Sequence, residues 1–263
     1  MDDVRLTPEV LAYYRQGKEP TRLRDSAQGR LEFLRMRDLL RRHLPGGRLS
    51  ILDVGGGAGV HAAWLASDGH DVHLVDPMAA HVATASALDG VTAEVGDARR
   101  LRFDDDSYDV VLMLGPLYHL RDAADRAAAL GHARRIARGA VAAATINRFA
   151  GWLDAVQRDV IDPERMRAVL NPLIDTGHLS PAPDNPFTGY FHKPEEIRGE
   201  FAAAGFADIR QFGVQGAVWL APAFDSMMDD DVKRGLLLDA LRRTETEPSL
   251  WGASNHLLTV ARP

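Results

Sequence analysis

Between residues 48 and 146 the chain alternates short apolar strands with helical stretches, at intervals of roughly 20–25 residues, and few folds accept that alternation. The composition predicts strands at Leu49–Val54, at Asp71–Val75 running to Asp76, at Val91–Val95, at Tyr108–Leu114 and at Ala140–Ile146. Helices are predicted between them, at about Val60–Ser67, Met78–Leu88 and Asp122–Ala137. A strand that returns through a helix re-enters the sheet parallel to its predecessor, so this pattern predicts an α/β, doubly wound, mostly parallel sheet. Tyr108-Asp-Val-Val-Leu-Met-Leu114 is apolar on consecutive residues, as a strand covered on both faces requires.

The regularity stops near Asn147. Helical stretches follow, then the Pro-rich loop Pro181-Ala-Pro-Asp-Asn-Pro186, and the segment reads as an insertion over the sheet. A helix at Pro194–Ala204, a strand at Phe206–Phe212, helical sequence over Ala223–Thr244 and a closing strand at His256–Ala261 complete the chain. Upstream, Leu31, Leu34, Leu39, Leu40 and Leu44 fall near helical spacing before a stop at Pro45-Gly46-Gly47. A chain of 263 residues is accommodated by one α/β domain. We therefore expect a single domain over 1–263, an N-terminal helical lid over about 1–46 and cap insertions at about 148–192 and 214–254.

The chemistry concentrates at strand ends. Asp53-Val-Gly55-Gly56-Gly57-Ala-Gly59 lies between a strand and a helix. Glycines there permit a tight turn and let a ligand approach the backbone, while the helix that follows offers free N–H groups. Asp76, at the end of the second strand, can accept hydrogen bonds from ribose hydroxyls, or cap the next helix, since Pro77 follows it. Asp97, in Gly96-Asp97-Ala98 past the third strand, can take a hydrogen bond from an amino group or serve as an ordinary turn residue.

Taken in order, Ile51-Leu-Asp-Val-Gly-Gly-Gly-Ala-Gly59, Val75-Asp76, Gly96-Asp97-Ala98 and Tyr108–Leu114 resemble the motif series of class I methyltransferases that use S-adenosylmethionine (SAM). The resemblance implies a Rossmann-like sheet of seven strands with an antiparallel closing strand, and SAM as the cofactor. It also implies cofactor-binding roles. Asp53, Gly55, Gly56 and Gly57 would hold the methionyl part, and Asp76 the ribose. Pro77 and Met78 would pack on the adenine, with Asp97 and Ala98 at its edge, and Leu114 would form the floor near the sulfonium. Pro116-Leu-Tyr-His119 resembles a subgroup of bacterial small-molecule methyltransferases, and departs from the Asn/Asp-Pro-Pro-Tyr motif of enzymes that methylate amino groups of nucleic acid and protein.

For the acceptor, His119 is the candidate base or hydrogen-bond partner, since an imidazole titrates near neutrality; packing on Tyr118 is the plainer alternative. Arg148, past the fifth strand, could pair with an acidic acceptor. Tyr14, Tyr118, Tyr190 and Trp219 are candidates for an aromatic acceptor pocket, with Tyr13, Arg22 and His192 nearby in the same segments. His61, His70 and His73 read as structural, and no His/Asp spacing suits a metal.

Composition narrows the partners. The net charge is −6 and the pI about 5.9, with only three Lys (Lys18, Lys193, Lys233), so no basic field exists to hold a phosphate backbone and nucleic acid is not expected as a substrate. Cysteine is absent, which excludes disulfides and thiolate chemistry. Met1–Tyr14 has no apolar core like a signal peptide's, and no apolar run is long enough to span a bilayer, so a cytoplasmic, bacterial protein with a small-molecule acceptor is expected. The sequence leaves open the oligomeric state, and two other readings: a SAM-binding protein of another reaction class or regulatory role, and a nicotinamide-dependent oxidoreductase, whose glycine pattern Gly57-Ala-Gly59-Val-His-Ala62 partly fits.

Overall fold

A computed structural model describes residues 19–181 and 187–263. Tyr13 and Tyr14 lie outside these described residues. The strands are β1 (Ser50–Val54), β2 (Asp71–Asp76), β3 (Val91–Val95), β4 (Tyr108–Met113), β5 (Ala137–Ile146), β6 (His178–Leu179), β7 (Gly189–Tyr190), β8 (Ala207–Gly213) and β9 (His256–Arg262). Seven of them form one sheet in the order β3-β2-β1-β4-β5-β9-β8, and β6 pairs with β7 in a small antiparallel ribbon. The first five strands of the sheet run parallel, and β9 is antiparallel to both β5 and β8. This is the expected seven-strand doubly wound sheet with an antiparallel closing strand.

The sheet is held by apolar residues on both faces. Ile51 and Leu52 on β1 and Val110 to Met113 on β4 are fully buried, as parallel strands between two helical layers must be. One core lies against helices Ala27–His43 and Val60–Ser67, and includes Leu39, Leu40, Ile51 and Leu112. The other lies against helices Ala123–Ile136 and Pro194–Ala203, and includes Leu52, Val111, Leu130 and Phe201. The order reverses between β1 and β4, where the connections leave to opposite sides and open a crevice at the carboxyl ends of the strands.

Several boundaries differ from expectation. The β5 strand begins at Ala137, directly after its helix, because Tyr108 pairs with Ala137 before a register shift leads into Val110 opposite Ala140. The helical stretch Ala223–Thr244 is two helices, Phe224–Asp229 and Asp231–Thr244. The break lies at Asp230, whose carboxylate accepts from the N–H groups of Val232 and Lys233 and so starts a new helix. The insertion after β5 contains helices Ala150–Gln157 and Asn171–Thr176 and folds back through β6 and β7. Among the described residues no helix is long and apolar enough to cross a membrane.

Candidate functional site

The glycine turn is shaped by two close approaches. Gly55 has φ +69°, and a Cβ there would lie 2.9 Å from Pro116 Cδ. A Cβ on Gly56 would lie 2.6 Å from both Asp53 Oδ2 and Leu74 Cδ1. Asp53 is 1% exposed, and its Oδ2 has no hydrogen-bond partner among the described residues. Burial, reinforced by the charge of Asp76, pushes the Asp53 carboxyl up from its ordinary 3.8 to about 7.

Asp76 organises the turn. Its Oδ2 accepts from the Gly57 N–H at 2.9 Å, and its Oδ1 accepts from the Met78 N–H at 2.9 Å and lies 3.0 Å from His81 Nδ1. The carboxylate thus joins the end of β2 to the glycine turn and starts the helix Ala79–Ala85, while its side chain borders a cavity of about 360 Å³. Asp97 borders the same cavity from the next strand end. It accepts from the Arg99 N–H, and Arg99 also bridges it to Asp125, with contacts of 2.6 Å and 3.0 Å. Burial opposes ionisation of Asp97, but the Arg99 hydrogen bonds outweigh it and hold the carboxyl below its usual range.

Of the expected cofactor residues, Gly55, Asp76, Pro77, Asp97 and Ala98 line this cavity. Asp53, Gly56, Gly57 and Met78 are not among the residues that line it. Asp53 is buried under the turn, and Gly57 and Met78 are tied to Asp76 through their backbone N–H groups. Leu114 packs against the sheet core.

A second cavity of about 500 Å³ adjoins the first, and His119 lines both. The short helix Pro116–His119 follows β4 and carries His119 to the boundary. Its ring sits 4.7 Å from Tyr118 and 5.5 Å from Phe187. Burial lowers the imidazole pKa to about 4, opposed by the charge of Asp76 and assisted by that of Arg22. Tyr118 lines the larger cavity.

Three other acceptor candidates sit elsewhere. Arg148 is 2% exposed; its Nε donates to the Phe191 carbonyl and its Nη2 to Tyr190 Oη at 3.1 Å, with Glu196 completing the ion pair. That cluster fixes the segment 189–191 to the end of β5, so the buried guanidinium lines neither cavity. Tyr190 belongs to the same cluster, stacked under Arg126 at 3.9 Å. Trp219 is fully buried in an apolar cluster with Leu31 and Phe224, its Nε1 donating to the Ala253 carbonyl. His61, His70 and His73 each hold a local partner, namely Trp64, the Leu49 N–H and Thr92.

Sequence reasoning missed the far wall of the larger cavity. Gln28, Asn255 and His256 line it, brought from opposite ends of the chain. Arg22 joins them; both its Nη atoms donate to Glu32, at 2.8 and 2.9 Å. Burial works against the charge on Glu32, but Arg22 and His256 prevail and its carboxyl falls to about 2. Nothing in the local sequence marks Gln28, Asn255 and His256, since sites separated by more than two hundred positions meet only through the sheet; the sequence singles out Arg22 with the N-terminal aromatic residues.

Residues 51–139, the stretch from β1 into β5, match the family model described as a methyltransferase domain. No curated protein matches the chain by sequence. Among solved structures, a Pyrococcus horikoshii OT3 protein is 16% identical, with 96% of this chain and 98% of that one covered and a TM-score of 0.65. A SAM-dependent methyltransferase from Mesorhizobium loti is 19% identical (92% and 100% covered, TM-score 0.56). Another from Methanosarcina mazei is 15% identical (84% and 95% covered, TM-score 0.57). At these identities the likeness establishes a shared fold.

Proposed function

We propose that this chain is a SAM-dependent methyltransferase, in one domain with a lid and caps, that binds SAM in the smaller cavity and a small-molecule acceptor in the larger one. The observation that carries the reading is the position of His119 in the wall common to both cavities, at the carboxyl ends of the parallel strands. When bound, SAM supplies a methyl group already activated on a sulfonium.

The residues present suit that cofactor. Asp53 keeps a buried carboxylate oxygen without a partner, directly under the glycine turn, where a cationic amino group would favour its ionised form. Asp76 has about four lone-pair directions, of which three meet Gly57, Met78 and His81. It can therefore accept about one further hydrogen bond from a ribose hydroxyl without giving up the turn. Asp97 is held by Arg99 at the cavity edge, ready to accept from an adenine amino group.

The remaining work falls to positioning and to exclusion of water. An imidazole that protonates only near pH 4 is neutral at physiological pH and a weak base. His119 is thus suited to accepting a hydrogen bond from an acceptor O–H or N–H and aiming the lone pair at the methyl group. Calorimetric titration with SAM and with S-adenosylhomocysteine tests the proposal. Micromolar binding of either is expected, and tight NAD binding without SAM binding would overturn it.

A further inference from the structure

The larger cavity is lined in two ways. Val169, Leu170 and Leu173 on one limb of the insertion, with Leu179, Phe187 and Phe191 on the other, give it an apolar side. Its charged lining groups are already matched. Arg22 donates to both carboxylate oxygens of Glu32, Arg158 pairs with Asp154 at 3.2 Å, and Arg165 has a partner as well. A ligand carrying a charge would therefore give up hydration for groups that are engaged elsewhere. Gln28 and Asn255 also line the cavity, and neither side-chain amide has a hydrogen-bond partner among the described residues. The polar groups left to meet a ligand there are thus uncharged, and each amide can both donate and accept.

His256 adds a donor whose position is fixed. Gln215 is buried, and its Oε1 accepts from the His256 backbone N–H at 2.9 Å. That bond turns the Gln215 Nε2 toward the imidazole, 2.9 Å from Nδ1. An amide NH2 can only donate, so Nδ1 accepts. Glu32 Oε2, 3.7 Å from Nδ1, is beyond hydrogen-bond reach and is held by Arg22. Burial lowers the pKa of His256 and keeps the ring neutral, with the charge of Glu32 opposing and that of Arg22 adding to the effect. A neutral imidazole whose Nδ1 accepts carries its proton on Nε2. Nε2 has no partner among the described residues, so it is the ring atom left to meet a ligand in the cavity that His256 lines. Gln28 stands one helical turn before Glu32 on the same helix, and Asn255 directly precedes His256, so both free amides come from the neighbourhood of this donor.

We propose that the larger cavity selects an uncharged acceptor with an apolar body and a carboxamide- or lactam-type end. The body sits among Val169, Leu173, Phe187 and Phe191. The carbonyl oxygen of the polar end accepts from His256 Nε2–H, and its N–H donates to the side-chain oxygen of Gln28 or Asn255. The volume of about 500 Å³ suits a small molecule, within the range of roughly 300–1,000 Å³ usual for such sites. This inference rests on the proposed assignment of the two cavities.

The experiment is a matched titration into the full chain saturated with S-adenosylhomocysteine, using 4-phenylbutanamide, 4-phenylbutyrate and 4-phenylbutylamine. These share one body and differ in the polar end. The amide is expected to bind about tenfold or more tighter than either charged compound. His256→Phe removes the donor and should weaken the amide by about tenfold, with S-adenosylhomocysteine binding in place; His256→Gln, which keeps an N–H at the end of the side chain, should restore most of that loss. The wild-type comparison needs neither variant. A second wild-type measurement reads the tautomer directly. In protein labelled with ¹⁵N at histidine, the His256 ring, assigned by its loss in His256→Gln, should carry its proton on Nε2. An amide that is not the tightest of the three, no binding of any of them to the cofactor-bound protein, an unchanged amide affinity in a folded His256→Phe variant, or a proton on Nδ1 would overturn the proposal. Failure to bind S-adenosylhomocysteine at all would instead overturn the cofactor assignment beneath it.

Discussion

Asp53→Asn isolates the cost of burying a carboxyl group under the glycine turn. In the folded protein the Asp53 carboxyl titrates at about 7, against an ordinary value of 3.8. The cause is first its burial and then the charge of Asp76. At roughly 1.4 kcal/mol per pH unit, that displacement is worth about 4 kcal/mol. The sign follows from proton counting. Between pH 4 and 7 the folded state keeps a proton that the unfolded chain releases, so stability falls as pH rises through this window and levels off above it. Histidines run the other way: His61 and His119, lowered to about 4, add stability as pH rises toward 6.5. Their contribution is common to both proteins and cancels in a difference. Asparagine has the same shape and no proton to lose. The unfolding free energy of the variant relative to wild type should therefore shift in its favour by about 3 kcal/mol between pH 5 and pH 8. Urea unfolding followed by circular dichroism at several pH values reads that difference. A constant offset from the new amide is compatible with the argument, because it moves the curve without changing its slope. A difference that stays flat within about 0.5 kcal/mol over this range would refute it.

Three further perturbations probe the site. Gly56→Ala places a methyl group 2.6 Å from Asp53 Oδ2 and Leu74 Cδ1, and should cost about 1–3 kcal/mol in thermal unfolding together with a loss of SAM affinity. Asp76→Ala leaves the Gly57 and Met78 N–H groups without their acceptor and should weaken SAM binding by about tenfold or more in calorimetry, since each stranded group costs about 1–3 kcal/mol. His119→Ala should leave SAM affinity within about twofold and lower turnover by about 10²-fold, the scale of a loss when a reacting group is misplaced by about 1 Å. In wild type, the turnover–pH profile should lack an acid limb near pH 6.5, because the imidazole stays neutral down to about pH 4.

The order of elements and the strand-end residues that border the smaller cavity are local properties, and the sequence carries them. Strand and helix periods alternate along the chain, and a parallel sheet follows because each strand must return through a helix. Asp53, Asp76 and Asp97 stand at consecutive strand ends, and a parallel sheet brings all such ends to one edge, so residues 23 and 21 positions apart could be read as neighbours. The larger cavity is different in kind. Arg22, His119, Phe187 and His256 meet because the antiparallel β9 returns the end of the chain beside β5, and because the insertion after β5 folds back over the crevice. Hydrophobic period says that such segments are buried and is silent on what they face. Trp219 and Arg148 have the residue types of a binding pocket, yet tertiary packing commits one to an apolar core and the other to a buried ion pair with Glu196. The tertiary structure alone also decided the protonation of Asp53 and His119, since desolvation depends on what packs around a group from distant parts of the chain.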